Sequence, residues 1–222
     1  MHPRSCGAFI ALALVGVQAF AAPAGLDETI VDLTHRWAKV TYQTADAQKE
    51  AGYKDVIAAT EQASQAYPGR AEPLVWEAIA LSSAAKVEGG LAGLSKVKRA
   101  RDLLLAAEKL DPDVLAGSVY CSLGSLYAKV PGWPIGFGDK EKAAAYLKHA
   151  LAINPDGVDP NYFYGELLAD QGRYAEAAAR LSRALAAPAR VGREDSDAGR
   201  RLEVQAALEN LRKKHGDQLG AL

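Results

Sequence analysis

The chain has 222 residues, with 26 Lys and Arg against 27 Asp and Glu and a formal net charge of −1 at pH 7. That balance excludes nucleic acid as the main ligand, because counterion release on a polyanion needs an excess of Lys and Arg. The length suits one domain or one short repeat array, and with only Cys6 and Cys121 such a chain is held together by packing.

In chain order, the first segment stands apart. A basic start, Met1 to Arg4, precedes the apolar run CGAFIALALVGVQAFAA, with no acidic residue before Asp27. A charged start, an apolar centre and the small-x-small end Ala19-Phe20-Ala21 make the layout of a secretory signal peptide over 1–21. Cleavage falls after Ala21, with Ala22 and Ala24 as alternatives. An uncleaved anchor fits less well, since the run is shorter than the ~20 residues that span a bilayer. Cys6 lies before the apolar run, whereas a lipid-modified cysteine would follow it. The expectation is a periplasmic or secreted protein with no stable membrane insertion once the signal is removed. Cys121 is then the one remaining cysteine, either a small buried apolar residue or an intermolecular bridge.

From residue 22 the chain is alanine-rich and never gathers β-branched residues into an alternating run, so it reads as all-α. The predicted helices are Glu28 to Gln48 with Tyr53 to Ala66, then Glu72 to Val87 with Leu94 to Lys109. They continue as Val114 to Lys129 with Lys140 to Ile153, and Pro160 to Gln171 with Tyr174 to Ala187. A more polar helix, Asp195 to His215, closes the array, dividing the chain into a repeat domain over 22–194 and a capping helix and tail over 195–222. Leu202, Ala206, Leu208 and Leu211 are its docking face. The connector APARVGREDSDAG reads as a flexible polar loop in which Asp195 or Asp197 caps the helix.

The second helix of each pair carries one spacing: Ala100, Leu104, Ala107 and Pro112; Ala143, Leu147, Ala150 and Pro155; Ala177, Leu181, Ala184 and Pro188. A weaker copy has Tyr53, Val56, Ala63 and Pro68. The small residues permit close helix approach, and proline stops each helix. No single hairpin buries both its faces, so about four must stack into a right-handed superhelix with a capping helix.

Two stretches break the period. The glycine-rich VEGGLAGLSK, 87–96, reads as a mobile hairpin loop. It lacks the Gly-Lys-Ser/Thr order of a phosphate loop, so no nucleotide and no other cofactor is expected. YAKVPGWPIGFGDKEKA, 127–143, cannot be helical between Val130 and Gly138, with Asp139 suited to cap the next helix. Its Trp133, Ile135 and Phe137 either fold back as a lid or offer an aromatic wall to a partner. With Tyr127 they head the candidate binding residues. The others, Glu77, Tyr162 and Glu166, come from the predicted concave face, which is lined by Leu74, Glu77 and Leu81, by Ser118, Cys121 and Ser125, and by Tyr162, Glu166 and Asp170. No row of Lys, Arg and Asn runs there, so a clamp for a peptide carboxylate is not expected. His35, His149 and His215 are scattered without metal-ligand spacing, and no nucleophile–base pair is evident, so neither catalysis nor a metal is expected.

Over Tyr53 to Pro188, and most clearly Tyr162 to Pro188, the hairpin pattern resembles the tetratricopeptide repeat family, whose period is 34 residues. Ala143 and Ala177 stand 34 residues apart. The stretch LGSLYAKVPGWPIGFGDKEKAAAYLKHALAINPD, with its Pro-Gly-Trp-Pro insertion, also resembles the T component associated with tripartite ATP-independent periplasmic (TRAP) transporters. The first resemblance implies a non-enzymatic scaffold that binds a protein partner, and the signal peptide implies that it does so in the cell envelope. The second implies a transporter's solute-binding protein as that partner, or a carrier of a small apolar ligand. A scaffold predicts an open concave groove, and a carrier an enclosed apolar cavity near Trp133 and Phe137.

Overall fold

The computed structural model describes residues 25–219. The expected signal peptide at 1–21 lies outside them, so the reading of export rests on sequence. Among the described residues, helices alternate with short turns throughout. They are α1, Leu26–Ala38, continued by a π-helical turn, Lys39–Gln43; α2, Asp46–Ala66; α3, Ala71–Glu88; α4, Gly90–Leu110; and α5, Val114–Lys129. Then come α6, Lys140–Ile153; α7, Val158–Asp170; α8, Tyr174–Leu185; and α9, Glu194–His215. The fold is an all-α, tetratricopeptide-like superhelix of four hairpins and a final helix.

The small-large-small spacing marks the buried seam of each hairpin. Ala100, Leu104, Ala107, Ala143, Leu147, Ala150, Ala177, Leu181 and Ala184 are each at most 1% exposed. Glycines on the facing helices bring the backbones together. A Cβ built on Gly124 in α5 would lie 2.5 Å from Leu147 Cγ, and one on Gly165 in α7 would lie 2.9 Å from Leu181 Cγ. The larger buried clusters among the described residues lie around Trp37 and Trp76, around Leu104 and Leu123, and around Leu167 and Leu181.

Three expectations need correction. The first turn falls at Thr44 and Ala45, ahead of the predicted break between Gln48 and Tyr53. Gly52 instead lies inside α2, where a Cβ would come within 2.9 Å of Val40 Cγ2; it serves close approach rather than a turn. The glycine-rich 87–96 stretch is no loop, because Gly89 and Gly90, at φ 64° and 55°, reverse the chain and α4 begins at once. Gly93 then lies on the Ala85 carbonyl, where a Cβ would come within 2.7 Å of the oxygen. In α9 the buried phase is Val204, Leu208 and Leu211, while Leu202 is 67% exposed and Ala206 also faces outward.

The first helices form an inner row. α1, α3, α5 and α7 each touch the next, α7 touches α9, and α9 returns to touch α1. The row therefore closes on itself, with α2, α4, α6 and α8 outside. Tyr42 donates to Glu203 Oε2 at 3.3 Å, His35 Nδ1 lies 2.9 Å from Asp195 Oδ2, and Gly199 seats directly on the Tyr42 ring. The open concave groove expected of a scaffold is thus spanned by the chain's own last helix.

Candidate functional site

The connection between α5 and α6, residues 130–139, is rigidly built. Gly138 N donates to Pro131 O at 2.9 Å and Asp139 N to Tyr127 O at 2.9 Å. Asp139 caps α6 as expected, its Oδ1 accepting from Glu141 N and Lys142 N, both at 3.0 Å. Phe137 turns inward, edge-on to Tyr127 at 5.4 Å and beneath the Arg101 guanidinium at 4.6 Å. Tyr127 stacks on Tyr146 at 5.6 Å. Trp133 and Ile135 turn outward and are 89% and 65% exposed. The two readings of this loop divide by residue: Phe137 is the lid, and Trp133 with Ile135 is the apolar tip.

The other candidates are dispersed. Glu77 is buried in the hairpin of α3 and α4, with Oε1 2.5 Å from Arg99 and Oε2 accepting from Ser64 at 3.2 Å. Leu81 lines an outer cleft of about 740 Å³ between α2 and α4. The inward side chains of α3 are instead Trp76, edge-on to Trp37 at 6.0 Å, and Ser83, which accepts from Trp37 Nε1 at 2.9 Å. Tyr162 is buried, with Arg200 over its ring at 4.9 Å, and burial raises its pKa, with Glu166 the next contribution. Glu166 pairs with Lys129 at 3.3 Å. Cys121 is buried, and burial pushes its thiol pKa up, so it behaves as a small apolar residue.

What sequence reading missed is the inner charge cluster. Asp159 opens α7; its Oδ2 accepts from Arg190 at 2.8 Å and its Oδ1 from Arg200 at 2.8 Å. Burial alone would raise this carboxyl's pKa, but Arg200 and then Arg190 outweigh it and hold it at about 2. Asp197, only 2% exposed at its side chain, takes the remaining face of Arg190 and its backbone N–H. Arg200 reaches Glu203 at 2.5 Å. The connector that read as flexible is thereby pinned, and Asp197 is spent on Arg190 rather than on capping α9, which has no side-chain cap. The available signal was the density of Arg and Asp from 190 to 200.

This cluster borders an inner cleft of about 280 Å³ lined by Leu115, Ala116, Ser118, Cys121, Asn154 and Pro160, with Asp159, Arg190 and Arg193 at its charged side. Among the described residues no group of three or more His, Cys, Asp or Glu is placed to hold a metal ion, and no helix is long and apolar enough to cross a membrane. Neither described cleft is lined by Trp133 or Phe137.

The tetratricopeptide repeat family model matches residues 135–190, which hold α6, α7, α8 and the second half of the aromatic loop. That stretch is tetratricopeptide-like. Among solved structures, this tetratricopeptide-like chain is similar to TTC0263, a thermophilic TPR protein of Thermus thermophilus, at 18% identity and a TM-score of 0.45. The alignment covers 84% of this chain and 98% of that one. No curated protein matches the chain in sequence.

Proposed function

We propose that this tetratricopeptide-like chain is an exported, non-enzymatic scaffold of the cell envelope that binds a protein partner through the tip of its aromatic loop. The observation that carries the reading is the exposure of Trp133 and Ile135 on a loop clamped by Phe137, Tyr127 and Arg101. Exposed aromatic side chains on a rigid base lose little entropy on binding and are the usual anchors of protein interfaces. The inner face is crossed by α9, so the contact surface belongs on the outer loop. Export follows from the 1–21 signal pattern. A transporter's solute-binding protein as partner follows from the Pro-Gly-Trp-Pro resemblance.

Photo-crosslinking at position 133, followed by recovery from envelope extract, tests this. The expected result is one solute-binding or membrane protein captured at 133 and not at an exposed control position, Leu202. Capture lost on Ile135→Asp, with the melting temperature unchanged, would tie the contact to the loop tip. Equal capture at both positions would remove the loop from the function.

A further inference from the structure

The inner cleft carries a second and independent inference. Its guanidiniums are unequally used. Arg190 is paired with Asp159 and Asp197, and Arg200 with Asp159 and Glu203. Arg193 lines the same cleft, yet among the described residues its side chain has no hydrogen bond and no ion pair. Its guanidinium lies over the Trp76 ring at 5.4 Å. The Asn154 side chain, which also lines the cleft, has no hydrogen-bond partner among the described residues. Trp76 itself is buried and its Nε1–H has no acceptor. A guanidinium has five donors and a carboxamide nitrogen two, so Arg193 and Asn154 leave donors in the cleft without an acceptor. Burying such groups without one is costly.

Asp159 does not supply it, since both of its oxygens are taken by Arg190 and Arg200. Leu115, Ala116, Cys121 and Pro160 give the same cleft its apolar lining. Leu115, Ala116 and Gly117 all have left-handed backbone, at φ 52°, 54° and 79°, which is strained for the two non-glycine residues. Sparsely populated backbone of this kind clusters where a ligand is held.

We infer that the cleft binds a small molecule bearing an oxyanion group. The oxyanion sits on the free fork of Arg193 with Asn154 donating beside it, and a small apolar body rests against Leu115 and Pro160. A guanidinium fork suits planar carboxylate and tetrahedral phosphate alike, so the test separates the two.

Calorimetric titration of the full chain at low ionic strength uses benzoate, inorganic phosphate and the uncharged isostere benzamide. Benzoate is expected to bind once per chain, with affinity falling as salt rises, and benzamide to give no heat. Phosphate competing with benzoate would mark a general oxyanion site, and absence of competition a carboxylate site. Arg193→Met is expected to weaken benzoate at least tenfold, and Arg193→Lys, which keeps the charge and loses the fork, by less. Should Arg193→Met unfold, Asn154→Leu carries the test with an expected several-fold loss. Equal binding of benzamide, no binding of either anion, or unchanged affinity in a folded Arg193→Met or Asn154→Leu variant would overturn the inference. None of these readouts involves the Trp133 loop.

Discussion

Asp159 shows how one carboxylate ties distant parts of the chain together. It accepts from Arg190 and Arg200, 31 and 41 residues further on, and its pKa is held at about 2 against an ordinary 3.8. A carboxyl whose folded pKa lies below its unfolded value contributes stability that is complete above the unfolded pKa and lost as pH falls through the folded one. The window here is from just above pH 4 down to about 2, and the contribution is about 2 kcal/mol. Urea midpoints measured from pH 6 to 2.5 should therefore fall steeply in the parent, and the fall should be shallower in Asp159→Asn, which starts lower at pH 6. Arg190→Met is the harsher change, because it leaves the Asp197 carboxylate buried without its counterion. Stranding one member of a buried pair costs roughly 3–5 kcal/mol. The urea midpoint at pH 7 should drop accordingly, and an unchanged midpoint would mean that Asp197 finds water instead.

At the scale of the element, the hairpin is set by where small residues face large ones. Gly124 meets Leu147 and Ala143, and Gly165 meets Leu181 and Ala177, the same arrangement in successive units. Gly124→Ala places a methyl 2.5 Å from Leu147 Cγ, and overpacking of this kind costs typically 1–3 kcal/mol. Thermal melts should show Gly124→Ala destabilised more than Gly165→Ala, where the nearest contact is 2.9 Å. Ala177→Asp, a charge placed at a fully buried seam position, should leave the protein unfolded or aggregated in circular dichroism and light scattering. These positions were legible in sequence because Ala, Leu and Ala at 3- and 4-residue spacing followed by Pro is local information, written within a single helix. Asp139 was legible for the same reason. Gly93 was misread because a glycine that breaks a helix and one that admits a neighbouring backbone look alike until the neighbour is in place.

The scale of the whole molecule is where sequence reading ran short, and the cause is sequence distance. Tyr42 meets Glu203 and His35 meets Asp195 across 161 and 160 residues, contacts that exist only because the inner row of helices closes. Once α9 returns to α1, the groove becomes a charged interior and Arg193 comes over Trp76. The closure hinges on Gly199, whose missing Cβ lets α9 lie flat on the Tyr42 ring. In Gly199→Ala the added methyl would fall on the Tyr42 ring, so the contact must open or Tyr42 must swing aside. The seams of the second, third and fourth hairpins do not depend on it. Hydrogen exchange should then report a local opening rather than global loss. Amides of α1 and of the N-terminal turns of α9 are expected to exchange at least tenfold faster, while those of α5 to α8 keep their protection. Tyr42→Ala added to Gly199→Ala should restore part of the protection by making room for the methyl, a positive coupling between two residues far apart in sequence and touching in the fold. Uniform acceleration across α5 to α8 would mean that closure and hairpin stacking are one cooperative unit. No acceleration in α1 would mean that the helix is held by α2 and α3 alone, leaving α9 a passive cap.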